Sequence, residues 1–294
     1  MKSVKKLPTG AGRFMTRDRL SLWYKVSGRG PALLVPTPGW GASADMYMKS
    51  LIPLEKHFSL IYLDTRGAGR SEAPAKSSGY GFSYFLDDLE TLRTHLRLDH
   101  WLIFAHSDAT LQGLGYAIEH PKACRGLFIV GGTLNVDDKE LKADTRARMK
   151  KLSREPWFAA ADRASNSNPK SNDEFRQSFL GVQLPLFFAS KAAAVKARHY
   201  FSASTYRVKG NKYDHFAPEF HAKKLAEIRV PTAVFEGDHD VITTPLEALR
   251  LDRGIANSTL FMIRNAGHFP WLEQRDAFFK DFAQAARIIL QHRR

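Results

Sequence analysis

Within this chain a predicted strand runs almost directly into a predicted helix, with a serine at the junction. Residues 100–106 form an apolar run typical of a buried parallel strand, and residues 111–119 read as a helix. Ser107 lies between them, with Ala105 and Ala109 two residues to either side. A turn this sharp strains its central residue and leaves room only for small neighbours. The pattern predicts a serine hydroxyl exposed above a sheet, at the N-terminal end of a helix.

Strand-like and helix-like segments alternate on both sides of this turn. This order predicts an α/β fold whose eight-stranded, mostly parallel sheet is covered by helices on both faces. The first strands are expected to form a hairpin over residues 14–28. Further predicted strands span residues 31–36, 58–64, 126–130, 231–236 and 258–264, and predicted core helices span residues 44–56, 82–98, 244–255 and 270–291.

The alternation breaks between residues 134 and 228. This stretch is rich in Lys, Asn and Ser, carries many bulky aromatic residues, and has runs that read as helices. We therefore expect a helical cap over residues 134–228, inserted into an α/β core made of residues 1–133 and 229–294.

The chain is strongly basic, with 44 Lys and Arg against 30 Asp and Glu and a net charge of +14 over 294 residues. No helix-turn-helix, zinc-ligand or RNA-binding motif accompanies this charge, so we expect a solvated basic surface and no nucleic-acid partner. One cysteine, Cys124, excludes an internal disulfide. No stretch has the length of a membrane span or the apolar core of a signal peptide. We expect a cytoplasmic enzyme, monomeric or homodimeric, with no membrane partner.

A serine is a poor nucleophile at neutral pH and needs a base, which in turn needs an orienting acid. Two later strand ends supply candidates. One is Gly-Asp-His-Asp at residues 237–240, and the other contains Gly267 and His268. Carboxyl ends of parallel strands meet at one edge of a sheet, where ligands bind. The sequence thus predicts that His268 takes the proton of Ser107 and that Asp240 fixes the imidazole tautomer. Asp238 remains an alternative acid.

Acyl transfer also needs hydrogen-bond donors for the oxyanion. The backbone N–H of Asp108, directly after the serine, is one candidate. The loop after the strand at 31–36 should supply the other, and because Pro38 has no N–H, the donor is Gly39 or Trp40.

Four segments give the chain a recognisable family likeness. They read Asp-Thr-Arg-Gly-Ala-Gly-Arg-Ser at 64–71, Ala-His-Ser-Asp-Ala at 105–109, Gly-Asp-His-Asp at 237–240 and Ala-Gly-His-Phe-Pro-Trp-Leu-Glu at 266–273. With these segments the chain resembles the α/β-hydrolase superfamily over nearly its whole length.

Within that superfamily the chain is most similar to the proline iminopeptidase-like serine hydrolases. Their closing Gly-His-x-Pro-Trp-x-Glu run is similar to residues 267–273, and their cap contains a Glu-Pro-Trp segment like residues 155–157. The resemblance implies release of an N-terminal residue, or cleavage of a small ester, lactone or amide, through an acyl-enzyme and without a cofactor or metal. The family's His-Gly-Gly-Pro-Gly loop and Gly-Gly-Ser-Trp-Gly elbow are replaced here, so peptide, ester and lactone substrates all stay open.

The substrate is expected to be a small molecule held by apolar residues of the loop and cap. Trp40, Trp157, Phe187 and Phe188 are the candidates for that pocket. Two other functions remain open on the same fold. One is a cofactor-free oxygenase or C–C bond hydrolase that relies on the His–acid pair, and the other is a ligand-binding homologue with no catalytic activity.

Overall fold

A computed structural model describes residues 7–39, 41–207 and 217–292. Its central feature is one eight-stranded sheet with the spatial order β1-β2-β4-β3-β5-β6-β7-β8. The strands are β1 (Gly10–Met15), β2 (Ser21–Gly28), β3 (Ala32–Pro36), β4 (Ser59–Leu63), β5 (Trp101–His106), β6 (Cys124–Val130), β7 (Thr232–Gly237) and β8 (Ser258–Ile263). β1 and β2 pair in antiparallel fashion, β2 is antiparallel to β4, and all other pairs are parallel. The predicted α/β class and mostly parallel eight-stranded sheet are confirmed.

The described helices fall into two groups. Those that accompany the sheet are α1 (Asp45–Ser50), α2 (Phe82–His95), α3 (Ala109–Glu119), α9 (Pro245–Gly254), α10 (Pro270–Glu273) and α11 (Arg275–Gln291). Those between β6 and β7 are α4 (Lys139–Leu152), α5 (Phe158–Ser165), α6 (Asn172–Ser178), α7 (Lys191–Phe201) and α8 (Ala222–Leu225). A π-helical turn, Phe179–Gln183, and a 3₁₀ turn, Leu184–Phe187, join α6 to α7.

Both faces of the sheet are buried, which explains why its central strands are apolar without alternation. On β5, Ile103 points into a core shared with α2 and α3, whereas Phe104 points into a second core that includes α11. In that second core Phe282 of α11 stacks on Phe128 of β6, with ring centroids 4.3 Å apart. Burying one such aromatic side chain contributes about 1.5–3 kcal/mol.

Several residues between β6 and β7 pack into the second core. Phe179, Leu184 and Phe201 are buried in the same cluster as Phe269 and Trp271. The aromatic residues of this stretch therefore serve both to pack its helices and to join them to the sheet at the carboxyl ends of the strands.

One predicted helix is interrupted. Residues 44–56 form the α-helix α1 and then a 3₁₀ turn, Ile52–Lys56. Pro53 disfavours helical backbone at the residue before it and cannot supply an amide hydrogen, so the α-helix ends at Ser50. The predicted closing helix is likewise divided at Gln274, between α10 and α11.

The turn after β4 holds the loop after β3 in place. The Asp64 carboxylate accepts hydrogen bonds from the backbone N–H groups of Ala44 (2.7 Å) and Arg70 (2.8 Å). The N–H of Thr65 donates to the Thr37 hydroxyl at 3.0 Å. These contacts fix the loop that leads toward Gly39, beside the end of β5.

Candidate active site

Ser107 has the backbone conformation that its sequence surroundings predict. Its φ angle is +58°, in the left-handed region that a residue with a side chain rarely adopts. Ala105 and Ala109 are fully buried, and a Cβ placed on Gly113 would lie 3.1 Å from that of Ala105. The helix thus crosses the end of β5 at a distance that only small residues permit, and the partly exposed Ser107 is presented at the crossing.

His268 and Asp240 form a buried pair. The imidazole Nδ1 lies 2.7 Å from Asp240 Oδ2, and both side chains are almost completely buried. An ionised carboxylate only accepts hydrogen bonds, so Nδ1 carries the hydrogen and Nε2 carries the lone pair. The backbone N–H of Ile242 donates to Asp240 Oδ1 at 2.7 Å, and the Thr243 hydroxyl donates to Oδ2 at 3.1 Å. These donors fix the orientation of the Asp240 carboxylate.

Asp238, the other candidate acid, has different partners. Its carboxylate contacts the exposed His239 ring at 2.6 Å and the N–H of Ala266 at 3.4 Å. The structure therefore places Asp240, and not Asp238, on the imidazole of His268.

A second buried carboxyl group lies beside this pair. Glu236, the penultimate residue of β7, is completely buried, and its Oε2 has no hydrogen-bond partner in the described chain. Burial raises the pKa of Glu236 well above its ordinary value, and the nearby Asp240 carboxylate raises it further. The position of Glu236 beside Asp240 thus favours the protonated form of the Glu236 carboxyl group.

His106 supports the backbone of His268. Its Nε2–H donates to the His268 carbonyl oxygen at 3.0 Å, so its Nδ1 accepts from the Tyr47 hydroxyl at 2.7 Å. Burial, together with the neighbouring His268, holds the pKa of His106 well below its ordinary value. His106 is thus a neutral ring with both nitrogens in use. Tyr47 and Thr243 belong to this arrangement, but no sequence motif distinguishes them.

Ser107 and His268 line one cavity of about 230 Å³. Its other described lining residues are His106, Phe175, Phe179, Gln183, Phe187, Ile242 and Phe269. Within the part of the chain that the structure describes, no hydrogen bond joins the Ser107 hydroxyl to His268. Catalytic hydrogen bonds are often long in ligand-free sites and shorten when substrate binds.

The predicted substrate-contacting residues have different positions. Phe187 lines the cavity. Phe188 is buried in the core, where it stacks on Phe269 with ring centroids 5.4 Å apart, and Trp157 packs beside Phe158. Neither Phe188 nor Trp157 is among the described residues that line this cavity. Trp40 lies outside the described residues.

Gly39, a predicted oxyanion donor, already has an acceptor. Its backbone N–H donates to Asp108 Oδ1 at 2.6 Å. The Asp108 side chain therefore accepts a hydrogen bond from the amide that was expected to face the substrate. It also places a carboxylate at that point.

The comparisons with known proteins agree with this architecture. A profile of the α/β hydrolase fold family matches residues 32–274. A probable proline iminopeptidase from Leptolyngbya boryana is 22% identical over 278 residues, covering 84% of this chain and 85% of that protein. The proline iminopeptidase of Saccharolobus solfataricus is 25% identical over 272 residues, covering 87% and 85%.

Solved structures show the same fold. An α/β fold family hydrolase from Bacillus anthracis superposes with a TM-score of 0.74 at 19% identity, covering 96% of this chain and all of that one. An esterase from Exiguobacterium antarcticum gives a TM-score of 0.70 at 19% identity, covering 94% and 98%. In the described part of this chain, no helix is both long enough and apolar enough to cross a bilayer. The predicted likeness to proline iminopeptidase-like α/β hydrolases is confirmed, and the chain belongs to the α/β hydrolase fold family.

Proposed function

We propose that this protein is a serine hydrolase that cleaves a small ester, lactone or amide through an acyl-enzyme on Ser107. The observation that carries the proposal is the shared cavity, where a serine with strained backbone lies together with the His268–Asp240 pair. Strained backbone at a reactive position and a buried, oriented imidazole are what a nucleophile and its base require.

The reaction would proceed in two halves. Nε2 of His268 accepts the Ser107 proton as Oγ bonds to the carbonyl carbon, and the carbonyl oxygen becomes an oxyanion. When this intermediate collapses, the bond to the alcohol or amine breaks, and the leaving group takes the proton from Nε2. A water molecule then repeats the sequence on the acyl-enzyme, releasing the acid and free Ser107. Asp240 holds the tautomer throughout and stabilises the imidazolium.

The oxyanion would be bound by the backbone N–H groups of Asp108 and Gly39. Gly39 now donates to the Asp108 carboxylate. The proposal therefore requires that this side chain turn away, or that the N–H of Asp108 work with another donor, when substrate enters.

The cavity supports a preference among substrate classes. Most of its described lining is aromatic or aliphatic, and none of the described lining residues is Asp or Glu. A substrate with a free amino terminus would gain no ion pair from that lining, whereas a compact apolar ester or lactone would fill it. The names of the relatives, proline iminopeptidase and esterase, cover both classes, and we place small esters first.

A stopped-flow assay with a p-nitrophenyl ester tests this proposal. An acyl-enzyme predicts a burst of p-nitrophenol approaching one equivalent per chain whenever deacylation is the slower step. Ser107→Ala should lose both the burst and the steady-state rate while it retains the melting temperature of the unchanged protein. Full turnover by Ser107→Ala would refute the proposal.

A further inference from the structure

An uncommon helical turn contributes two residues to the wall of the cavity. Phe179 and Gln183 are the first and last residues of the π-helical turn, and both line the cavity that contains Ser107. Turns of this type are rare and occur frequently at functional sites.

The orientation of the Gln183 amide is fixed by its partners. Its Nε2 donates to the Ala164 carbonyl at 3.0 Å and to the Ser178 hydroxyl at 2.9 Å. A carbonyl can only accept, so the group that faces Ala164 must be the NH₂. The oxygen of the amide, Oε1, therefore points away from these two partners.

That oxygen accepts no hydrogen bond from the described residues. Gln183 is only 8% exposed. Its Oε1 accepts no hydrogen bond in the described chain. This atom is nevertheless absent from the set of unpaired polar atoms that are completely buried, so it retains some exposed surface. Gln183, a residue that lines the cavity, thus combines an NH₂ group held by two hydrogen bonds with one unpaired acceptor.

The rest of the cavity makes this acceptor distinctive. Both ring nitrogens of His106 are in use, and Ser107 and His268 belong to the proposed reaction. The other described lining residues, Phe175, Phe179, Phe187, Ile242 and Phe269, offer no polar side-chain group. A ligand that covers Gln183 without a donor of its own would leave the acceptor unpaired, which is unfavourable.

We propose that Gln183 selects substrates that carry a hydrogen-bond donor, a hydroxyl or N–H, on an otherwise apolar ring-sized group. The inference rests on the proposed hydrolase function and narrows its substrate class to donor-bearing aromatic or similarly compact apolar esters.

Matched esters test the selection. The p-nitrophenyl esters of 3- and 4-hydroxyphenylacetic acid are each compared with the methoxy analogue, which retains the ring but has no donor. The unchanged protein should prefer one hydroxy ester in kcat/KM by about tenfold over its methoxy partner, the value of one such hydrogen bond. Gln183→Met should remove that preference, so that the hydroxy ester and its methoxy partner have nearly equal kcat/KM values.

Two further variants separate selection from structure. Ser178→Ala removes one of the two bonds that hold the amide and should weaken the preference partially. Gln274→Met, at a partly exposed glutamine whose Nε2 donates to the Asn265 carbonyl oxygen outside the cavity, should leave it intact. Equal loss on both esters in Gln183→Met would assign Gln183 a structural role and overturn the proposal, as would an unchanged preference.

A binding measurement decides the question even without turnover. The dissociation constants of phenol and anisole, and of indole and 1-methylindole, are measured with Ser107→Ala and with the Ser107→Ala, Gln183→Met double variant. At least one donor-bearing ligand should bind Ser107→Ala severalfold more tightly than its partner, and the double variant should lose the difference. Equal affinities within both pairs in Ser107→Ala would refute the role of Gln183, whereas selective binding together with no hydrolysis of any of the esters by the unchanged protein would refute only the hydrolase function.

Discussion

The backbone N–H of Gly39 donates a 2.6 Å hydrogen bond to the carboxylate of Asp108, the residue directly after the proposed nucleophile. The negative charge of an oxyanion would develop near this point. A carboxylate there competes for the donor and repels the developing charge, so Asp108 should restrain the hydrolysis of simple esters.

Replacing Asp108 with alanine should therefore accelerate the hydrolysis of a neutral ester. Loss of one oxyanion donor costs about 10²–10³ in kcat, so release of the Gly39 N–H should raise kcat for p-nitrophenyl acetate by at least about tenfold. Asp108→Asn is the matched control, because it removes the charge and retains an acceptor. A fall in kcat in both variants would instead show that Asp108 supports the loop or contacts the substrate.

The acid of the proposed triad can be identified by a pair of isosteric substitutions. Asp240→Asn should lower kcat by about 10⁴, because the amide stabilises the wrong tautomer of His268. Asp238→Asn should stay within about threefold of the unchanged protein, since Asp238 contacts the exposed His239. Steady-state kinetics on one ester measure both, and the reverse ranking would contradict the assignment of Asp240.

Glu236 should tolerate loss of its ionisable group. Burial and the nearby Asp240 carboxylate raise the pKa of Glu236 well above its ordinary value, which favours the neutral form, and glutamine imitates that form. Glu236→Gln should keep kcat within about threefold and melt near the temperature of the unchanged protein. Glu236→Leu, which removes the acceptor for the Gly237 N–H, provides a contrast and should melt lower. A hundredfold loss of kcat in Glu236→Gln would mean that Glu236 acts as an anion.

Glu273 should make the stability of the protein depend on pH. Its carboxylate accepts hydrogen bonds from the N–H groups of Gly267 and Ala189, and burial raises its pKa from 4.5 to about 7. Between these two values the unfolded chain is ionised while the folded chain keeps the proton, so the free energy of unfolding falls as pH rises from about 4.5 to 7.

Urea unfolding across this range checks the assignment. The contribution of Glu273 to the free energy of unfolding should be about 3 kcal/mol. The difference in this free energy between the unchanged protein and Glu273→Gln should change by about this amount across that pH window. If the difference in the free energy of unfolding between the two proteins does not depend on pH, Glu273 has a pKa near its ordinary value in the folded protein.

The sequence was informative at positions where both the chemistry and the backbone geometry require particular residues. Small residues around Ser107 predicted a sharp crossing of β5 and α3, and that crossing gives Ser107 its positive φ. Asp240 and His268 follow different strands, and the parallel sheet brings their side chains to 2.7 Å. These relationships depend on local turns and on strand order, which patterns of apolar residues reveal.

The lining of the cavity depends on finer geometry. Phe187 lines it while the adjacent Phe188 is buried in the core, and an unbroken apolar run does not show which of two neighbours faces inward. Gln183 reaches the cavity because it ends a π-helical turn. Such a turn contains one residue more than an α-helical turn, and no sequence pattern reveals it. Tyr47 was likewise not predicted, because its contact with His106 joins residues 59 positions apart.

The role of Ser107 as the nucleophile of a hydrolase can be tested by labelling with a fluorophosphonate, followed by mass spectrometry of the intact chain and of its peptides. We expect one adduct per chain, located on Ser107, absent in Ser107→Ala and formed much more slowly in His268→Ala. An unlabelled Ser107 in protein that hydrolyses esters, or an adduct on another residue that abolishes the activity, would contradict the account.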